Sequence, residues 1–149
     1  MSHPSIVKAL NEYKKVDVTT GIEGASPHRL ILMLMDGALG RMNQARIHVI
    51  NNNISERGEL LSATISIIGG LRDSLDHDAG GEIAANLDSL YEYMTHCLMD
   101  VNLNNGIAKL DEVISLLTQI RSAWIEIEPQ ATMNSKPKPS TSAAMSAAS

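Results

Sequence analysis

The chain has 149 residues, 44% of them apolar, one cysteine and a net charge of −5. That length buries a core without metal or disulfide help, and the single Cys97 cannot form an internal disulfide, which fits a reducing compartment. No basic stripe exists and the aromatic residues are only Tyr13, Tyr91, Tyr93 and Trp124, so nucleic acid is not an expected partner.

Met1 to Ala25 lacks the apolar core of a signal peptide, and the apolar run that begins at Leu30 falls far short of the roughly 20 residues that span a bilayer. The expectation is a cytoplasmic protein with no membrane insertion. Residues 1–25 hold a short helix-capable piece with Ile6, Val7, Leu10 and Tyr13 on one face, then the flexible link Gly21 to Ala25.

Ser26-Pro27 opens the first helix, with a hydroxyl at the N-cap and proline at the first helical position, where a missing N–H costs nothing. The helix runs from Pro27 to the Asn51-Asn52-Asn53 cluster, whose side chains compete for backbone hydrogen bonds. Its apolar residues, among them Leu30, Leu34, Met35, Met42, Val49 and Ile50, fill an arc of roughly 200°. A peripheral bundle helix normally buries about half of that. Met33 and Ile47 point away from the main arc and are candidates for contact with another chain.

The second helix covers Glu56 to Asp76, stacking Leu60, Leu61, Thr64, Ile67, Ile68, Leu71 and Leu75, with Glu59, Ser62, Ser66 and Asp73 opposite. Gly69-Gly70 inside it costs about 1 kcal/mol each relative to alanine, and reads as close packing or a tolerated weak turn, with a hinge as the alternative. After a turn from Asp76 to Gly81, the third helix spans Glu82 to Leu103 and aligns Ile83, Leu87, Leu90, Tyr91, Met94, Cys97, Leu98 and Val101. Asn104-Asn105-Gly106 breaks the chain, and the fourth helix runs from Ile107 to Glu128, stopped by Pro129. Its apolar arc is again roughly 200° wide.

Connections of a few residues force neighbouring helices antiparallel, so the fold class is all-α, an antiparallel up-down four-helix bundle over residues 26–129. A short N-terminal helical segment and linker (1–25) precedes it. A tail (130–149) of Ser, Ala, Lys and Pro follows, too poor in large apolar groups to offset its ordering entropy and so expected to be disordered. The first and fourth helices should lie side by side, their surplus flanks forming one groove for an amphipathic partner. Candidate lining residues are Leu30, Met33, Leu34, Ile47 and Ile50 from one helix and Leu116, Ile120, Trp124 and Ile127 from the other. The alternative is a structural module whose surplus surface is buried permanently in a homodimer.

Signals for chemistry fail on spacing. Asp76 to Gly81 resembles a calcium loop, yet the closing acid position holds Leu87. His96-Cys97 and the Asp73/His77 pair lack third and fourth metal ligands, the Glu-x-x-His pairs of a ferritin-like site are absent, and His3, His28 and His48 have no triad partners nearby. Neither catalysis nor a cofactor is expected. Charge is unevenly spread, with nine acids against Lys109 and Arg121 between Asp78 and Glu128, a net of −7.

The stretch SPHRLILMLMDGA at Ser26 to Ala38 resembles the opening motif of the flagellin-specific export chaperones, the FliS family. The match continues through RGELLSATISIIGGLRDSLD at Arg57 to Asp76, GGEIAANLDSLYEYM at Gly80 to Met94, LMDVNLNN at Leu98 to Asn105, and Trp124. Met35 stands where the family usually carries Phe or Tyr. The resemblance implies an antiparallel helical bundle that binds the disordered C-terminal segment of flagellin, prevents its premature polymerisation and presents it to the flagellar type III export gate. It also implies contact with flagellar regulatory proteins, and an N-terminal piece that covers part of the groove; Ile6, Leu10 and Tyr13 are the expected lid residues.

Overall fold

Ser26 caps the first helix as its sequence requires: the hydroxyl accepts from the Arg29 amide at 3.1 Å, and Pro27 occupies the first turn. The computed structural model describes residues 24–127, so the lid residues Ile6, Leu10 and Tyr13 and the tail lie outside the described residues. Four helices follow in order: α1 Pro27–Ile50, α2 Ile54–Asp73, α3 His77–Asn104 and α4 Ile107–Glu126. No strand occurs among the described residues.

The turns explain the boundaries. Asn52 adopts a left-handed backbone, φ 56°, which asparagine tolerates better than most residues, and Asn53 then starts α2 two residues earlier than expected. Asn53 is held by its side-chain bond to His48 Nδ1 at 2.9 Å and by its amide donating to the His48 carbonyl. The segment expected to be a turn before the third helix is itself a helical turn, because the Asp76 carboxylate accepts from the Ala79 amide at 3.0 Å. Gly81 then interrupts α3 at φ 51°, ψ −124°, a conformation essentially reserved for glycine. At the far end of α3 the left-handed position belongs to Asn105, not Gly106.

Each helix packs on its two neighbours in a ring: α1 against α2 and α4, and α3 against α2 and α4. Side chains at three- and four-residue steps therefore converge on one core. Leu34, Met35, Met42 and Val49 of α1 meet Leu61, Ile67, Ile68 and Leu71 of α2, Tyr91, Met94, Leu98 and Val101 of α3, and Leu110, Val113 and Leu117 of α4. Cys97 is buried in the same cluster. Ile83 departs from expectation and stays exposed, next to the Gly81 break, while Ala84 beside it is buried.

Polar links fix the pairs of helices. Arg57, buried in the first turn of α2, donates to the Asn105 side chain and, at 3.0 Å, to the Asn102 carbonyl, placing a cation at the C-terminus of α3 where the helix dipole favours one. Arg72 pairs with Asp88 and Glu92, and the Asp88 carboxyl is held below its usual range by the hydrogen bond from Arg72. The buried Thr64 hydroxyl is satisfied by the Leu60 carbonyl one turn back.

The two glycines predict opposite outcomes. Gly81→Ala should lower stability by about 1–3 kcal/mol, the order of a strained left-handed residue, whereas Gly69→Ala, helical with open space where the methyl would go, should raise it by about 0.5–1 kcal/mol. Urea midpoints of the two variants against the parent check both signs. Burial also pushes the Tyr91 phenol up to about 12 from its ordinary value near 10. Its stabilising contribution is present below about pH 10 and is lost as pH rises through about 12, so Tyr91→Phe should flatten the alkaline fall in stability measured by denaturant titration.

Candidate partner-binding surface

Antiparallel order brings the end of α1, the start of α2, the end of α3 and the start of α4 to one end of the bundle. Four large apolar side chains stand in water there: Ile47 (57% exposed) and Ile50 (62%) on α1, Ile54 (63%) on α2 and Leu103 (81%) on α3. Met99, one turn before Leu103, is also exposed. Scattered apolar groups are ordinary on a protein surface, and here four of them stand at one end of the bundle. At the other end, Ile125 and Ile127 are exposed at the close of α4.

Polar pairs cross the seam between α1 and α4. Arg46 donates two hydrogen bonds to Asp111, Arg121 pairs with Asp36, and the Asp111 carboxyl is held below its usual range by the bond from Arg46. Toward the N-terminus of α1 the seam is closed by a reciprocal clasp. His28 Nε2 donates to the Trp124 carbonyl at 2.8 Å, Trp124 Nε1 donates to the His28 carbonyl at 3.0 Å, and the two rings stack with centroids 5.0 Å apart.

Two of the expected lining residues are corrected by burial. Leu34 is fully enclosed in the core, since α1 sits between two neighbours and the centre of its arc faces both. Met33 is only 4% exposed and so is not free surface, although it stands apart from the central cluster. Ile47, Ile50 and Ile127 are exposed, Leu30 is half-buried, and Leu116, Ile120 and Trp124 are half-buried against the core. Leu116 and Ile120 follow Glu112 at four-residue steps, and Glu112 accepts from the Tyr93 hydroxyl of α3, so these two lie toward α3 rather than α1.

A groove of about 630 Å³ between α2 and α3 was not expected from the sequence. Ile54, Ser55, Gly58, Glu59, Ser62, Ala63, Ser66 and Asn102 line it. The available signal was the small-residue row Gly58, Ser62, Ser66 at four-residue steps, which reads equally as a solvated face. Among the described residues no cluster of His, Cys, Asp and Glu that could hold a metal occurs, and no helix is long and apolar enough to cross a membrane.

Known proteins resemble this chain along most of its length. The profile of the family described as flagellar protein FliS matches residues 9–131. The flagellar secretion chaperone FliSB of Pseudomonas aeruginosa is 46% identical over 118 residues, covering 79% of this chain and 94% of the relative. The flagellar secretion chaperone FliS of Salmonella typhimurium is 42% identical over 124 residues, covering 83% and 92%, and that of Bacillus subtilis is 30% identical over 103 residues, covering 69% and 76%. With a helical bundle, apolar contact patches and this likeness along most of its length, the chain belongs to the FliS family of flagellar secretion chaperones.

Proposed function

We propose that the protein binds the disordered C-terminal segment of flagellin in the cytoplasm, prevents its premature polymerisation and aids its delivery to the flagellar type III export apparatus, with the export gate and flagellar regulators as further partners. The observation that carries the reading is large apolar surface left in water at the helix ends of a secretion-chaperone family member. Ordering a disordered tail costs on the order of 1.5 kcal/mol per residue, while each buried Leu- or Ile-sized contact returns about 1.5–3 kcal/mol. Contacts must therefore recur along an extended path, and separated patches meet that need better than one pocket.

Ile47 and Ile50 at one end, Leu116 and Ile120 along α4, and Leu30, Trp124 and Ile127 at the other end mark such a path, with Ile6, Leu10 and Tyr13 as a displaceable lid over part of it. The competing reading is a permanent homodimer through the same surface, which the exposed isoleucines also fit.

Calorimetric titration with a flagellin C-terminal peptide tests the proposal. Ile47→Ser with Ile50→Ser should weaken binding about tenfold or more, the loss of one to two buried isoleucines, and deleting Met1 to Asp17 should leave affinity undiminished. Absence of heat with the intact protein contradicts the reading, and a large loss on deletion makes the N-terminal piece part of the site. A dimer that survives excess peptide in sedimentation favours the competing reading.

A further inference from the structure

Asn105 is the one asparagine in the sequence that a glycine follows. In such a pair the backbone nitrogen of the glycine can attack the side-chain carbonyl carbon of the asparagine, because the glycine has no side chain to block the approach. The reaction needs only water. The bond from Gly106 N to Asn105 Cγ forms, the Cγ–Nδ2 bond breaks, and ammonia leaves with the proton of the Gly106 amide. Water then opens the five-membered imide at either carbonyl and gives aspartate or isoaspartate. One water is consumed, one ammonia is released and no electron is transferred.

The structure leaves the attacking group open and holds its target. Asn105 and Gly106 form the two-residue connection between α3 and α4, and both are partly exposed, so water reaches them. Among the described residues no hydrogen bond engages the Gly106 amide. The Asn105 side chain is gripped instead. Arg57, only 5% exposed, donates from Nη1 to Asn105 Oδ1 and from Nη2 to the Asn102 carbonyl, so its guanidinium ties that side chain to the last turn of α3. The backbone of Asn105 is left-handed, φ 56° and ψ 41°, and its amide donates to the Val101 carbonyl at 2.7 Å. Closing the imide ring forces ψ away from that value while Arg57 still grips the side chain, so the turn must open before the bond can form.

We propose that Asn105-Gly106 is a deamidation site guarded by the folded turn, with Arg57 as the guard, and that it marks irreversibly the molecules whose α3–α4 end has opened. Aspartate there keeps Arg57 as a partner but sets a negative charge at the C-terminus of α3, against the helix dipole. Isoaspartate routes the main chain through Cβ and lengthens a connection of two residues, which loosens the closure of the helix ring. Neither outcome depends on the cargo reading.

The test incubates the full-length protein at mildly alkaline pH, folded and in guanidinium chloride above its unfolding transition. Peptide mapping by mass spectrometry follows aspartate and isoaspartate at position 105. The unfolded chain should convert at least about tenfold faster than the folded one, because a guarded site waits on local opening. Equal rates overturn the guard, and no conversion in guanidinium overturns the site. Gly106→Ala has open space for its methyl group in the folded turn and should slow conversion of the unfolded chain about tenfold by crowding the nitrogen. An unchanged rate overturns attack by that nitrogen. Arg57→Lys keeps the charge but not the fork of donors, so it should convert several-fold faster than the folded parent, or at the unfolded rate if it does not fold. A rate equal to that of the folded parent overturns the role given to Arg57.

Discussion

Helix connections of only two or three residues are the constraint on which the rest of this molecule depends. Asn51–Asn53, Ser74–Asp76 and Asn105–Gly106 leave no room for a crossover, so each helix returns beside the one before it. The four apolar stripes then meet in one core, and the first and last helices close the ring. The same constraint sets what remains uncovered. A side chain in the first or last turn of a helix has a partner only if the neighbour extends as far, and Ile47, Ile50, Ile54 and Leu103 stand where that cover runs out.

Two kinds of interaction hold the ring, with different reach. Core burial at about 25 cal/mol per Å² supplies most of the driving force and has no preferred geometry. Direction comes from the polar links: the His28–Trp124 clasp and the Arg46–Asp111 and Arg121–Asp36 pairs join α1 to α4, and Arg57 joins α2 to α3. The surface pairs are solvent-exposed and contribute little each. Arg57 is different, since a buried cation must keep its carbonyl and amide partners or carry an uncompensated desolvation cost.

Much of the fold was legible because its signals are local. Ser26-Pro27, the Asn51–Asn53 cluster and Asn104–Gly106 mark helix ends through capping and backbone preference, and three- and four-residue spacing named most of the core. Asp76 to Gly81 was misread as plain turn because an Asp cap and a glycine break give similar composition in either conformation. The candidate surface was less legible for a physical reason. A 200° arc says that a helix is covered on two sides but not by what, so Leu34 was grouped with the exposed Ile50, and Met33, which points away from that arc, is buried as well. The α2–α3 groove depends on which small residues face Asn102 from another helix, and that is not written in the spacing of α2 alone.

The mechanism we propose, in which a disordered cargo gains helical order by shielding side chains that the bundle leaves exposed, rests on membership of a secretion-chaperone family and on those exposed apolar side chains. Hydrogen exchange of the full-length protein with and without a flagellin C-terminal peptide tests this most directly. The account predicts slower exchange on binding in the last turns of α1 and along α4, with the buried middle of α2 unchanged. Exchange that is identical in α1 and α4 with and without a saturating peptide would contradict it.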